Sequence, residues 1–184
     1  MVKGLEALAA AGLLALSGYR VLQGGLLGIF LAVQTTVVAV LLLVRRAPAQ
    51  EASWVFRLLA WLSAGLPVLL QPGAGATWPA AVQIAGLMIA IWAKASLGRS
   101  FGIAPADRGL CVLGPYRWLR HPAYAGELLS FTGVWASAPT LWNTALLLLI
   151  GVSLLVRIAA EESVMSGYPQ YAARVRWRLV PGVW

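Results

Sequence analysis

Long apolar runs alternate with short polar segments along the first half of the chain. Val21 to Val44 carries no charge and is long enough for a membrane span, because a helix needs about 20 residues to cross the hydrocarbon core. Two further apolar segments, Trp54 to Leu70 and Trp78 to Ala93, follow, and a tight uncharged turn over Pro72 to Thr77 joins them. Residues 4–19 are apolar but shorter than a full span, and they predict a short first helix.

The second half of the chain changes character after Lys94. Residues 94–120 are rich in charge, glycine and proline, and a loop of that length is usually functional or disordered. Tyr124 to Val156 is apolar again, but it is too long for one crossing and is broken at Pro139, so it predicts a helix hairpin. Arg157 to Trp184 is polar and basic. The pattern predicts an all-α, polytopic integral membrane protein with about five transmembrane helices.

We expect a single membrane domain with two parts. Residues 1–93 would form the N-terminal transmembrane helices, and residues 94–184 would form a loop, a helix hairpin and a polar C-terminal segment. Hydrophobic residues make up 60% of the sequence and charged residues 11%, more apolar surface than a small soluble fold could bury.

The basic residues indicate an orientation rather than a nucleic-acid partner. The net charge is +8, but the basic residues lie at the ends of apolar runs instead of forming a patch. The positive-inside rule then places the 45–57 loop, the 94–120 loop and the C-terminal segment in the cytoplasm. Cys111 is the only cysteine, which excludes an intramolecular disulfide, and with a single histidine we expect no metal site.

The segment from Gly114 to Glu127 is the first candidate for chemistry. It joins the basic loop to the fourth apolar segment, and Pro122 suits the first turn of the helix that follows. Arg120 and His121 lie beside that helix start, where unpaired backbone N–H groups attract anions. The segment therefore predicts either a cradle for a carboxylate or phosphate, or a basic anchor on lipid phosphates.

A second candidate follows the fifth apolar segment. Arg157 and Glu161 are four residues apart and share one helix face. They could form a surface ion pair of little energetic worth, or Glu161 could face the ammonium group of a ligand. The aromatic and basic residues from Tyr168 to Arg178 are typical of a segment at the membrane interface.

These residues together resemble a known superfamily. The run Arg120-His121-Pro122-Ala123-Tyr124-Ala125-Gly126, preceded by Gly114-Pro115-Tyr116 and followed by Glu161-Glu162 and Tyr168-Pro169-Gln170-Tyr171, resembles the isoprenylcysteine carboxyl methyltransferases and phospholipid methyltransferases. The resemblance covers about residues 94–184, and the earlier helices match only in hydropathy.

The resemblance implies S-adenosylmethionine as cofactor, in a pocket that the C-terminal half forms at the cytoplasmic membrane surface. A lipophilic acceptor, such as a prenylated molecule or a lipid, would enter from the bilayer. Arg157 is the catalytic residue implied, because it would hold the acceptor. The cofactor-binding residues implied are Arg108, Gly109, Leu110, Cys111, Tyr116, His121, Pro122, Ala123, Tyr124 and Glu161.

The roles that follow need no covalent participant, because methyl transfer depends on positioning and on the exclusion of water. His121 and nearby N–H groups would hold the methionine carboxylate, Glu161 the ammonium and Arg157 an anionic acceptor. Two alternatives remain at this point. The chain could be a relative of the NADPH-dependent membrane sterol reductases, or a non-catalytic membrane protein that keeps the helix hairpin.

Overall fold

The computed structural model of the protein describes residues 2–23, 25–73 and 77–184. Helices dominate it, with three short 3₁₀ turns at residues 66–69, 98–100 and 114–117. The helices are α1 (Val2–Gln23), α2 (Gly25–Val44), α3 (Trp54–Gly65), α4 (Thr77–Leu97), α5 (Pro122–Ser137), α6 (Leu141–Val164) and α7 (Tyr168–Arg174).

Three of these helices are long and apolar enough to cross a membrane. They cover Leu26–Val44, Thr77–Ser100 and Leu141–Val164. Two shorter apolar stretches are residues 7–19, within α1, and residues 54–69, which comprise α3 and the 3₁₀ turn after it. The molecule is therefore a mostly helical integral membrane protein, and the sequence-based count of five spans stays a prediction.

Several predicted boundaries were wrong by a few residues. The first long span does not begin at Val21, because α1 continues to Gln23 and α2 starts at Gly25. Residue 24, between the two helices, lies outside the described residues. In the predicted turn from Pro72 to Thr77, residues 74–76 lie outside the described residues.

Lys94 does not end the third apolar segment, as the sequence had suggested. It lies within α4, where its side chain is only 4% exposed and pairs with Glu127 of α5 at 2.6 Å. Because this carboxylate neutralises the ammonium group, the helix continues to Leu97. The predicted division of the chain after residue 93 consequently falls inside α4.

Helices α4 and α5 are packed so closely that their backbones touch. A Cβ atom at Gly86 would lie 2.6 Å from the carbonyl oxygen of Gly126, and one at Gly126 would lie 2.7 Å from that of Gly86. Farther along, a Cβ atom at Gly133 would lie 2.6 Å from the backbone nitrogen of Gln83. Small residues permit such close approach between helices in a membrane.

The hairpin of α5 and α6 forms as predicted, with Pro139 in its turn. Asn143 is fully buried near the start of α6, and its amide donates to the carbonyl oxygens of Gln71 and Ala138, both at 2.8 Å. Its side-chain oxygen accepts from the backbone N–H of Gln71 at 3.0 Å. Asn143 thus fixes the hairpin turn to the segment that follows α3.

The fold is not purely helical, because two of the loops contribute one short strand each to an antiparallel pair. β1 (Gln50–Glu51) pairs with β2 (Ala106–Asp107), with Gln50 opposite Asp107. The pair connects the loop after α2 to the loop after α4, two segments in which the sequence showed no strand pattern.

Part of the C-terminal segment is packed into the protein, and its predicted place at the membrane interface stays a prediction. Tyr168, Tyr171 and Val175 form a buried cluster against Leu110. Beyond it, the backbone N–H groups of residues 120 and 121 donate to the carbonyl oxygens of residues 177 and 178 at 2.8 and 2.9 Å. The segment therefore fixes the chain at the point where α5 begins.

The close packing of α4 and α5 predicts a strong dependence on glycine. Gly126→Ala should lower the free energy of unfolding in detergent by about 1–3 kcal/mol, and with it the melting temperature, because the added methyl group has no space. Gly151→Ala is the matched control, since a Cβ atom there meets nothing within 4 Å. Thermal unfolding measures both variants, and an unchanged melting temperature for Gly126→Ala would contradict the packing described.

Candidate functional site

A cavity of about 770 Å³ runs between the helices. One part of it, here called the polar end, lies where α5 begins and α6 ends, and is lined by charged and aromatic side chains. The other part, here called the apolar arm, continues between the helices and is lined mainly by aliphatic side chains of α1, α2, α4, α5 and α6.

The polar end brings together most of the residues selected from the sequence. Pro122 is the exception, since it is buried as the first residue of α5 and does not line the cavity. The selected residues that line the cavity are Arg108, Gly109, Leu110, Cys111, Tyr116, His121, Ala123, Tyr124, Arg157 and Glu161.

Arg157, Glu161 and Glu162 lie within α6, although the sequence suggested that they follow the last apolar segment. Arg157 and Glu161 share the predicted helix face and both line the cavity. Between them lies the ring of Tyr124, whose hydroxyl donates to Glu161 and whose centroid is 5.0 Å from the Arg157 guanidinium carbon. Tyr124 therefore separates the acidic group from the basic one.

Arg157 is held by a backbone carbonyl and by Tyr124, and it keeps unused donor capacity. Its Nη2 donates to the carbonyl oxygen of Ile103 at 2.9 Å. Its Nε is buried and has no hydrogen-bond partner among the described residues. A buried N–H group without a partner is costly, so this one is a candidate for contact with a bound anion.

Glu162 is at the centre of a hydrogen-bond network that the sequence did not reveal. It accepts from Arg178 at 2.9 and 3.0 Å and from the Tyr168 hydroxyl, and its Oε1 lies 3.7 Å from Arg120. The Nε2 of His121 is 3.1 Å from the same oxygen. The network joins α6, the start of α5 and the C-terminal segment.

His121 consequently has a different environment from the one that its neighbours in sequence suggested. Its ring is 5% exposed and lies between two carboxylates, with Nδ1 3.8 Å from Glu161. It also stacks on Tyr124, at 5.9 Å between ring centroids. Arg120, by contrast, lines the cavity with a buried Nε that has no hydrogen-bond partner among the described residues.

The segment from Arg108 to Cys111 is fixed from both sides. Asp107, which precedes it, accepts from the backbone N–H groups of Gly109 at 2.9 Å and Ser166 at 3.0 Å. Gly109 has a φ of +91°, a conformation that favours glycine. Cys111 contacts the carbonyl oxygen of Ser96 through its sulfur at 3.2 Å.

Two buried tyrosines complete the wall of the polar end. The Tyr171 hydroxyl donates to the carbonyl oxygen of Tyr116 at 2.8 Å, which fixes the turn before α5. Burial raises the pKa of Tyr116 well above its usual range and that of Tyr171 to about 12. Both phenols therefore stay protonated at neutral pH and can donate hydrogen bonds.

Lys94 and Glu127 add an ion pair to the cavity wall. Glu127 ends the candidate segment that begins at Gly114, but the sequence assigned no role to either residue. Glu127 lies three residues after Tyr124 on α5, so it stands one turn farther along the same helix. A charge at this depth that faces a cavity is a common sign of a functional site in membrane proteins.

Comparison with known proteins gives one match. A family model described as phospholipid methyltransferase matches residues 77–171, which run from the start of α4 into α7 and include the whole polar end. Neither the curated proteins nor the solved structures gave a match.

The contacts of Asp107 predict how acid affects the loop that carries Arg108. Hydrogen bonds from the Ser166 side chain and the Gly109 backbone hold the pKa of the Asp107 carboxyl below its usual value. The stabilisation is therefore present at neutral pH and is lost as the pH falls below about 4 and through the lowered pKa. Asp107→Asn should lower the free energy of unfolding by about 1.5–3 kcal/mol at pH 7. The variant should then lose less stability in acid than the parent protein does.

Thermal unfolding in detergent over a pH series measures this effect. Glu51→Gln is the matched control, because its carboxylate is 41% exposed and pairs only with Arg57 among the described residues. An acid-induced loss of stability that is as large in Asp107→Asn as in the parent protein would contradict the assignment.

Proposed function

Because the chain belongs to the phospholipid methyltransferase family, we propose that it is an S-adenosylmethionine-dependent methyltransferase that acts in the membrane on a lipophilic acceptor. One observation carries the proposal above the others. Apart from Pro122, the residues selected for cofactor contact line the polar end of one cavity, and that cavity continues into an apolar arm among the helices. Such a cavity suits a polar cofactor and an apolar acceptor that meet at one point.

The polar end contains the groups that the cofactor requires. When bound, S-adenosylmethionine supplies an electrophilic methyl group on a sulfonium centre. Glu161 is the carboxylate that would hold the ammonium group of its methionine part, and Tyr124 orients Glu161 through its hydroxyl. Tyr116 and the segment from Arg108 to Cys111 would form the remaining wall.

The methionine carboxylate needs a donor, and Arg120 fits this role better than His121. The Nε2 of His121 already contacts Glu162, whereas the Nε of Arg120 is buried without a partner among the described residues. We therefore assign His121 to positioning, because it lies between Glu161 and Glu162 and stacks on Tyr124. This assignment revises the role that the sequence suggested for His121 and keeps it in the site.

Arg157 would hold the acceptor. Its unpartnered Nε and its position beside Tyr124 suit an anionic group such as a carboxylate or phosphate close to the methyl donor. Exclusion of water by the apolar walls and alignment of the two reactants would supply the catalysis, without a nucleophilic side chain of the protein. Isoprenylcysteine-like molecules and phospholipids both satisfy this description.

The orientation and the alternatives follow from the same features. Arg45, Arg46 and the basic loop after α4 lie at the same end of the molecule as the polar end of the cavity, which favours a cytoplasmic site. The family match does not favour a sterol-type reductase. The set of buried charges that face the cavity does not favour a purely structural protein.

Two substitutions separate the cofactor from the acceptor. Glu161→Gln should weaken the binding of S-adenosylhomocysteine by about ten- to a hundredfold, because the neutral amide loses a charge-assisted bond. Arg157→Ala should leave that affinity within about threefold and abolish methyl transfer to an anionic acceptor. Arg174→Ala is the matched control, because Arg174 is exposed on α7.

The measurements are isothermal titration with S-adenosylhomocysteine and mass spectrometry of a membrane lipid extract incubated with methyl-labelled S-adenosylmethionine. The parent protein and Arg174→Ala should label one lipophilic product. Equal loss of affinity in Glu161→Gln and Arg157→Ala would mean that the two residues act as one structural unit. The absence of a labelled product with the parent protein would contradict the proposed function itself.

A further inference from the structure

Two glutamine side chains line the apolar arm without the partners that a carboxamide requires. Gln83 of α4 is 8% exposed and forms no side-chain hydrogen bond to another described residue. Gln34 of α2 lines the same cavity, and its side-chain oxygen is buried with no hydrogen-bond partner among the described residues. Both carboxamides therefore have unused capacity toward the arm.

Three hydroxyl groups that line the same cavity do not share this feature. Thr35 donates to the carbonyl oxygen of Leu31 at 2.9 Å, Ser63 to that of Ala60 at 3.1 Å and Ser153 to that of Ile150 at 2.7 Å. Each hydroxyl is thus satisfied by its own helix. A carboxamide side chain in an apolar environment has two donors and an acceptor to satisfy, so an unpartnered one is costly.

The two glutamines lie within about one helical turn of each other in depth. The ends of α2 and α4 are level, because Arg99 donates through Nε to the carbonyl oxygen of Val44 at 3.1 Å. At a rise of 1.5 Å per residue, Gln34 is about 15 Å from that end and Gln83 about 21 Å from it. Half of a hydrocarbon core is about 15 Å, so in a bilayer whose surface lies at these helix ends Gln34 is near the middle and Gln83 about one turn beyond it.

The distance to the polar end follows from the same geometry. Lys94, which lines the cavity beside Glu127, is eleven residues after Gln83 on α4, a rise of about 16 Å. A chain that reacts at the polar end and extends along the arm would pass the glutamines at about that distance from its reacting group.

We propose that the apolar arm selects a methyl acceptor whose hydrocarbon chain carries a hydroxyl group about one leaflet's depth from its reacting end. The hydroxyl would donate to Gln34 and accept from Gln83. This inference rests on the proposed function, because the position of the reacting end is taken from it. The two glutamines would then be specificity-determining residues far from the site of methyl transfer.

The probes are a fatty acid with a mid-chain hydroxyl and the unsubstituted fatty acid of the same length, whose carboxylates suit Arg157. Their affinities for the detergent-solubilised protein are compared by competition or thermal stabilisation, beside S-adenosylhomocysteine binding. The parent protein should bind the hydroxylated acid about five- to tenfold more tightly, the net worth of the two hydrogen bonds after the hydroxyl loses its water. Gln34→Leu or Gln83→Leu should abolish that preference.

The melting temperature without ligand separates recognition from a structural role. Replacing an unpartnered carboxamide by leucine should leave the melting temperature unchanged or raise it, whereas removal of a structural hydrogen bond would lower it. Gln170→Leu is the matched control, because Gln170 is exposed on α7. It should keep the preference of the parent protein.

Three results would overturn the inference. They are equal affinity of the parent protein for the two acids, a preference that survives in both leucine variants, and a lower melting temperature in both. Each can occur while S-adenosylhomocysteine still binds, in which case only the inference fails. Loss of S-adenosylhomocysteine binding by the parent protein would instead contradict the proposed function.

Discussion

Two adjacent carboxylates near the end of an apolar helix impose the main constraint on this structure. Glu161 and Glu162 are 14% and 12% exposed, and ionised groups so placed are costly unless they are paired and hydrogen-bonded. Glu162 is satisfied by cations from two other segments, Arg120 and Arg178. Glu161 is turned toward the cavity and accepts only from Tyr124 among the described hydrogen-bond donors. One carboxylate therefore builds the site, and the other is left for a ligand.

The cavity also depends on the close packing of α4 on α5. Since Gly86 and Gly126 let the backbones touch, the side chains of the two helices are displaced to either side of the contact. Lys94 and Glu127 meet across this contact and face the cavity. The same packing places the start of α5, with His121, opposite the end of α6.

Periodicity and composition predicted the helices well because membrane-length apolar runs leave few alternatives. The hairpin around Pro139 and the start of α5 at Pro122 were found in this way. The strand pair and the burial of Tyr168 and Tyr171 were not predictable, because they depend on contacts between segments distant in sequence. Lys94 was misinterpreted for the same reason, since its carboxylate partner is on another helix.

The candidate site shows the same division between local and distant information. The motif from Arg120 to Tyr124 and the spacing of Arg157 and Glu161 sufficed to select residues that line one cavity. The sequence could not indicate that Glu162 would contact the Nε2 of His121, because the two residues are 41 positions apart. Nor could it distinguish Gln34 and Gln83 from ordinary packing residues of apolar helices.

The central claim is that the polar end binds S-adenosylmethionine, and hydrogen–deuterium exchange tests it most directly. Backbone exchange of the detergent-solubilised protein is compared with and without saturating S-adenosylhomocysteine. The account predicts slower exchange in the segments around Arg108 to Tyr124 and Arg157 to Tyr171, with little change in α1. Unchanged exchange in both segments, or protection confined to α1 and α2, would contradict it.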